Sequence, residues 1–158
     1  MHLKKYLTIY QTFVYLYQSG KMDNIKRIII PVDNSEISKI AVKRGALLAK
    51  LLGVSIKVIS VNDTHQFVSS VVIEERLKKE AESLLDAFKK IGDEVGVKIE
   101  TEVISGRPAE EIVRFAKEDD LIIIPNTIKK GMDRIFSGSV SEEVVRNAPC
   151  SVLVVKSK

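Results

Sequence analysis

Along this chain short apolar runs alternate with longer stretches whose apolar positions fall three and four apart. The runs Ile28 to Val32, Val54 to Val61, Leu121 to Ile124 and Val152 to Val155 read as strands, mostly buried on both faces. The stretches between them read as amphipathic helices. Ser35 is placed to cap a helix from Glu36 to Leu52, with Ile37, Ile40, Ala41, Gly45, Leu48, Ala49 and Leu52 on one face and Gly53 as its stop. After the polar stretch Asn62 to Gln66, a long helix ends near Ile91. Its buried stripe is Leu77, Ala81, Leu84, Leu85, Phe88 and Ile91, and Gly92 and Gly96 close it. Glu74–Lys78, Glu75–Lys79 and Asp86–Lys90 stand four apart with the acid first, the favourable order on a solvated face.

Val97 to Val103 is different. Val97, Ile99, Thr101 and Val103 alternate with Lys98, Glu100 and Glu102, so this third strand has a wet face and belongs at a sheet edge. Gly106-Arg107-Pro108 opens the next helix, with Ala109, Ile112, Val113 and Ala116 inward. The strand Leu121–Ile124 breaks at Pro125 into a polar, basic loop. That loop ends at Gly138-Ser139, where a last helix starts and runs to Asn147. Ser139 with Glu142 fits a capping box, Pro149 stops the helix, and Val152 to Val155 is the final strand.

The strict alternation of strand and helix implies a single α/β domain: a five-stranded parallel sheet with right-handed crossovers and helices on both faces. With the third strand at an edge and the first central, the order is 3-2-1-4-5. Ligands bind such sheets where the strand order reverses, here between strands one and four. Pro31, Val32, Asp33, Val61, Ile124, Gly138, Ser139, Val140 and Ser141 meet at that crevice, and Asn126 and Thr127 lie on the loop beside it. A helix N-terminus with free N–H groups there suits an anion, and Lys129, Lys130 and Arg134 bring positive charge near. The same residues have plainer readings. Ser139 serves as a helix cap, the lysine pair as a solvated loop, and Asp33 as a turn residue ahead of Ser35. His65 stands alone in a loop, and Cys150 reads as packing.

Composition narrows the field. At 158 residues and 45% hydrophobic content the chain can bury one real core. Its net charge of +4 is mostly contributed by Lys4, Lys5 and Lys21, and residues 22–158 are nearly neutral, which argues against nucleic acid as a partner. A single cysteine excludes an internal disulfide and suits a reducing compartment. No apolar run reaches the ~18–20 residues of a membrane span. Residues 1–21 differ from the rest and hold all four tyrosines, Tyr6, Tyr10, Tyr15 and Tyr17. Two readings stay open for them: an added segment packing on the domain or a partner chain, or an upstream start with Met22 the working one. A secretory leader is disfavoured, because Thr8, Gln11 and Thr12 interrupt the apolar stretch and no small-residue cleavage site follows.

The stretches IIIPVDNSEISKIAVKRGALLAKLLG, ISVND, SGRPAEEIVRFAKEDDLIII and GSVSEEVVRNAPCSVLVV, in that order, resemble the universal stress protein (UspA) family over residues 26–156. The resemblance implies a Rossmann-like, adenine nucleotide alpha hydrolase-like domain over residues 22–158. It further implies a cytoplasmic stress-response protein, and a homodimer paired through its last strand, Val152–Val155. One branch of the family binds ATP through a loop of pattern G-x2-G-x9-G-[ST], and Asp33 resembles the family residue that contacts the nucleotide. In this chain only Gly138-Ser139 matches that pattern. Pro125 and Ile128 stand at the two earlier glycine positions, and Gly131 lies three residues too late.

Proline has no N–H to donate, and a lost charge-assisted hydrogen bond costs about 1.5–3 kcal/mol. A β-branched residue forced into a left-handed conformation costs about 1–2 kcal/mol more. Together these weaken binding by roughly 10²–10³. The expectation is therefore a degenerate ATP site that holds ATP or AMP with magnesium, or another anion, weakly, in a protein that acts through partners. An interaction module that binds no nucleotide is the alternative. An ATP hydrolase ranks lowest, since Asp33 alone offers a catalytic base and no residues stand at metal-ligand spacing. A phospho-receiver domain is rejected: its third strand would end in an acid, and here Ile104-Ser105-Gly106 follows.

Overall fold

The computed structural model describes residues 24–64, 71–126 and 140–156. Five strands, β1 (Arg27–Val32), β2 (Ser55–Asn62), β3 (Ile99–Ser105), β4 (Asp120–Asn126) and β5 (Ser151–Lys156), alternate with four described helices. These are α1 (Glu36–Leu52), α2 (Val71–Val95), α3 (Pro108–Phe115) and α4 (Val140–Asn147). All pairings are parallel, in the order β3-β2-β1-β4-β5. The alternating third strand does lie at an edge.

The apolar runs explain the layers. Successive β1 side chains point to opposite faces, and both faces are covered. Ile28 and Ile30 join the α1–α2 side with Val42, Ala46 and Phe88, while Ile29 joins Ile122, Ile124, Ile112 and Val144 on the α3–α4 side. Each such aliphatic side chain contributes about 1.5–3 kcal/mol by leaving water.

Four local expectations need correction. β4 does not break at Pro125 but runs on through it to Asn126, with Pro125 opposite Val155 of β5. α2 passes Ile91 and the buried Gly92 and continues to Val95, with Gly96 at φ 73° ending it. Gly92 is needed inside the helix because a Cβ there would meet the Val97 carbonyl oxygen at 2.5 Å. On α1, Ile40 is 43% exposed and Leu52 37%, while Val42 and Ala46 are fully buried in their place. The ion pairs on the solvent face of α2 are Arg76–Glu80 and Asp86–Lys89 instead of the three expected pairs. The extension 1–21, its boundary with residues 22–158, and His65 lie outside the described residues.

Candidate functional site

The seam between β1 and β4 opens at one end. In register they pair only from Arg27↔Asp120 to Ile29↔Ile122, yet β1 continues to Val32 and β4 to Asn126. Each keeps its outer partner over that length: β1 pairs with β2 as far as Val32↔Ser60, and β4 with β5 as far as Asn126↔Lys156. Pro31 and Pro125 both fall in the unpaired stretch. A proline cannot donate to a ladder, so it is tolerated where one neighbour is missing. The two prolines mark where the strands part.

A cleft of about 300 Å³ occupies the gap, at the small end of ligand-site volumes. Of the residues singled out from sequence, Pro31, Val32, Asp33, Val61, Ile124, Asn126, Val140 and Ser141 all line it. Thr127, Gly138 and Ser139 lie outside the described residues, as do Ile128, Lys129, Lys130 and Arg134. Pro125, placed from sequence at the first glycine position of the loop, also lines it, and two lining residues were missed: Pro108 and Ile112. The last two stand four apart at the start of α3, which follows the carboxyl end of β3. That position was the available signal, because every loop leaving that edge of the sheet borders the crevice.

Asp33 is the anchored polar group of the cleft. Its Oδ1 accepts from Ser35 N at 3.1 Å, from the Ser35 hydroxyl, and from the Ser38 hydroxyl at 2.7 Å. Its own N–H donates to Ser38 Oγ at 3.1 Å. Ser38 is fully buried, and Ser35 caps α1 by accepting from Ser38 N. The turn and the helix cap thus hold one carboxylate oxygen and leave Oδ2 clear of these donors. Burial pushes the Asp33 carboxyl up, but the bonds from Ser35, Ser38 and the backbone outweigh it and hold it below the ordinary carboxylate range. Asp33 therefore presents an ionised acceptor.

Across the cleft, Asn126 and Ser141 are both 4% exposed, and the Ser141 hydroxyl donates to Asn126 Oδ1 at 3.2 Å. This bond ties the end of β4 to the first turn of α4. The remaining walls, Val32, Val61, Ile112 and Ile124, are apolar and suit a flat ring. Among the described residues no group of His, Cys, Asp and Glu could hold a metal ion, and no helix is long and apolar enough to cross a membrane.

A doubly wound parallel domain with a cleft at its switch point, one wall carrying a fixed carboxylate, defines a Rossmann-like α/β protein. The universal stress protein family model matches residues 24–156, and the chain belongs to that family. It is 45% identical over 139 residues to a universal stress protein of Methanocaldococcus jannaschii, covering 83% of this chain and 82% of that one. Among solved structures it is similar to the universal stress protein UspA from Lactobacillus plantarum, with TM-score 0.70, 27% identity, and 84% and 98% of the two chains covered. It is also similar to the universal stress protein from Archaeoglobus fulgidus in complex with dAMP, with TM-score 0.63, 25% identity, and 84% and 99% covered.

Proposed function

We propose that this protein binds an adenine nucleotide weakly in the β1–β4 cleft and acts in the stress response through protein partners, as a cytoplasmic homodimer. The observation that carries the reading is the Asp33 carboxylate, fixed by Ser35 and Ser38 beside apolar walls. An ionised acceptor at that place takes a donor, either an exocyclic amine or a ribose hydroxyl. The dAMP complex of the Archaeoglobus fulgidus relative supports an adenine nucleotide. Weakness follows from Pro125, which lines the cleft at the first glycine position of the phosphate-binding pattern and has no N–H to offer. ATP or AMP with magnesium is the ligand to test by calorimetry. Dissociation constants weaker than ~100 µM are expected, and low-micromolar binding would overturn the degenerate-loop reading.

Pro125 also favours a second reading, in which the cleft binds no nucleotide and the domain is purely an interaction module. Absence of heat at millimolar ATP and AMP would select it. Either reading uses the exposed edge of β5, the last strand of the sheet. An edge that no other described strand pairs with, carrying half-buried Val152, Leu153 and Val154, is suited to pairing with a second copy. Light scattering at micromolar concentration should give twice the chain mass, and a monomer would end the dimer proposal.

A further inference from the structure

The solvent face of α1 carries an exposed apolar stripe that no other described element covers. Ile40, Leu47 and Leu51 are 43%, 46% and 83% exposed, with Arg44 exposed among them. Positions 40, 44, 47 and 51 are spaced four, three and four, so they stand on one side of the helix, opposite the buried Ala41, Gly45 and Ala49. Lys43 and Lys50 flank the stripe. A second copy of α1 laid against it would bring these like charges together, which disfavours self-pairing.

The chain itself holds a matching segment. Leu3, Tyr6, Tyr10, Phe13 and Tyr17 are spaced three, four, three and four, the repeat that places side chains along one helical seam. The segment precedes the residues matched by the family model, which begin at 24. It also joins the fold at the right end. Ser55 Oγ donates to the Lys26 carbonyl at 3.4 Å, so the start of β1 lies at the end of the sheet where α1 finishes with Leu51 and Leu52. Seven residues separate Tyr17 from Ile25 and can span up to ~25 Å, while the stripe from Leu51 back to Ile40 is only ~16 Å long. The segment has no acid and confines its own positive charge to Lys4 and Lys5 at one end, so its fit to Arg44, Lys43 and Lys50 is by aromatic faces on cations and by apolar contact along their stems.

We propose that residues 3–17 dock along the exposed stripe Ile40–Leu47–Leu51 of α1 in the same chain. Every tyrosine of the protein lies in this segment and there is no tryptophan, so tyrosine emission of the full-length protein reports on it alone. Acrylamide quenching of the native protein should be well below that in urea. Leu47→Glu with Leu51→Glu should raise it about two- to threefold by releasing the segment locally, with far-UV circular dichroism retained because both sites are exposed. Leu51→Glu alone should raise it in part. Val145→Glu, exposed on the opposite side of the sheet, should leave it unchanged. Protection should be independent of protein concentration and undiminished by salt. Native tyrosines as quenchable as in urea, or no response to the α1 variants, would overturn the proposal. Protection that disappears on dilution would also overturn it, placing the segment on a second copy.

Discussion

Arg27 and Asp120 face each other in the β1–β4 register, and their side chains join in a two-pronged pair, Nε to Oδ1 at 2.9 Å and Nη2 to Oδ2 at 2.7 Å. The pair sits at the closed end of the same seam whose other end opens into the cleft. Asp120 also accepts from Lys117 N at 2.7 Å, and Arg27 lies over the Phe115 ring, 5.1 Å from its centroid. Asp120 holds the Arg27 guanidinium above its usual pKa, chiefly through the hydrogen bond. The Asp120 side chain is 2% exposed and that of Arg27 23%. Losing either partner is therefore unequal. Arg27→Met strands a buried carboxylate and should cost about 3 kcal/mol. Asp120→Asn leaves an arginine that can reach water, and should cost about 1–2 kcal/mol. Urea unfolding of the two variants checks the order.

Asp33 links stability to pH. Its folded pKa is depressed, so its contribution is present above the ordinary carboxylate range and is lost as pH falls through the folded value. Ser38→Ala removes the 2.7 Å donor and should shrink that contribution. Wild type should exceed the variant by about 1–2 kcal/mol at neutral pH, with a smaller gap once pH falls through the depressed folded value of Asp33. A gap that stays constant through acid would mean that Ser38 acts by packing alone.

Nucleotide affinity should respond to the glycine positions. Pro125→Gly combined with Ile128→Gly restores a donor and conformational freedom, and should tighten ATP by roughly 10- to 100-fold in calorimetry. Asp33→Ala should weaken binding in either background. An unchanged dissociation constant in the double glycine variant would count against the alignment of the loop with the family pattern.

Two buried glycines should behave differently. A Cβ at Gly45 would meet Ile30 Cδ1 at 2.2 Å, the tip of a side chain. A Cβ at Gly92 would meet the Val97 backbone oxygen at 2.5 Å, along with Ile99. Gly45→Ala can be accommodated by moving the Ile30 tip and gains helix propensity of up to ~1 kcal/mol, so its net cost should be about 1 kcal/mol. Gly92→Ala must displace the α2–β3 connection and should cost about 2–3 kcal/mol. Thermal unfolding distinguishes them.

Elements, their order and the strand arrangement were legible from residue pattern alone, because each rests on short-range signals. The run Ile28–Val32, the Ser35 cap with its Gly53 stop, and the alternation of Val97–Val103 each state a burial pattern without reference to a partner. Most of the cleft followed, since the carboxyl ends of β1 and β4 must meet at the switch point. What only the tertiary structure decided is which equal-looking positions were used. Ile40 turned outward and Val42 inward because α1 is rotated by its packing on Ile28, Ile30 and Ile123. Pro125 stayed within β4 because β5 pairs with it while β1 does not. Pro108 and Ile112 joined the site from a helix 75 or more positions along the chain from Pro31. Periodicity records that a side chain is apolar; only the surface packed against it sets whether that side chain is covered, and that surface comes from distant parts of the chain.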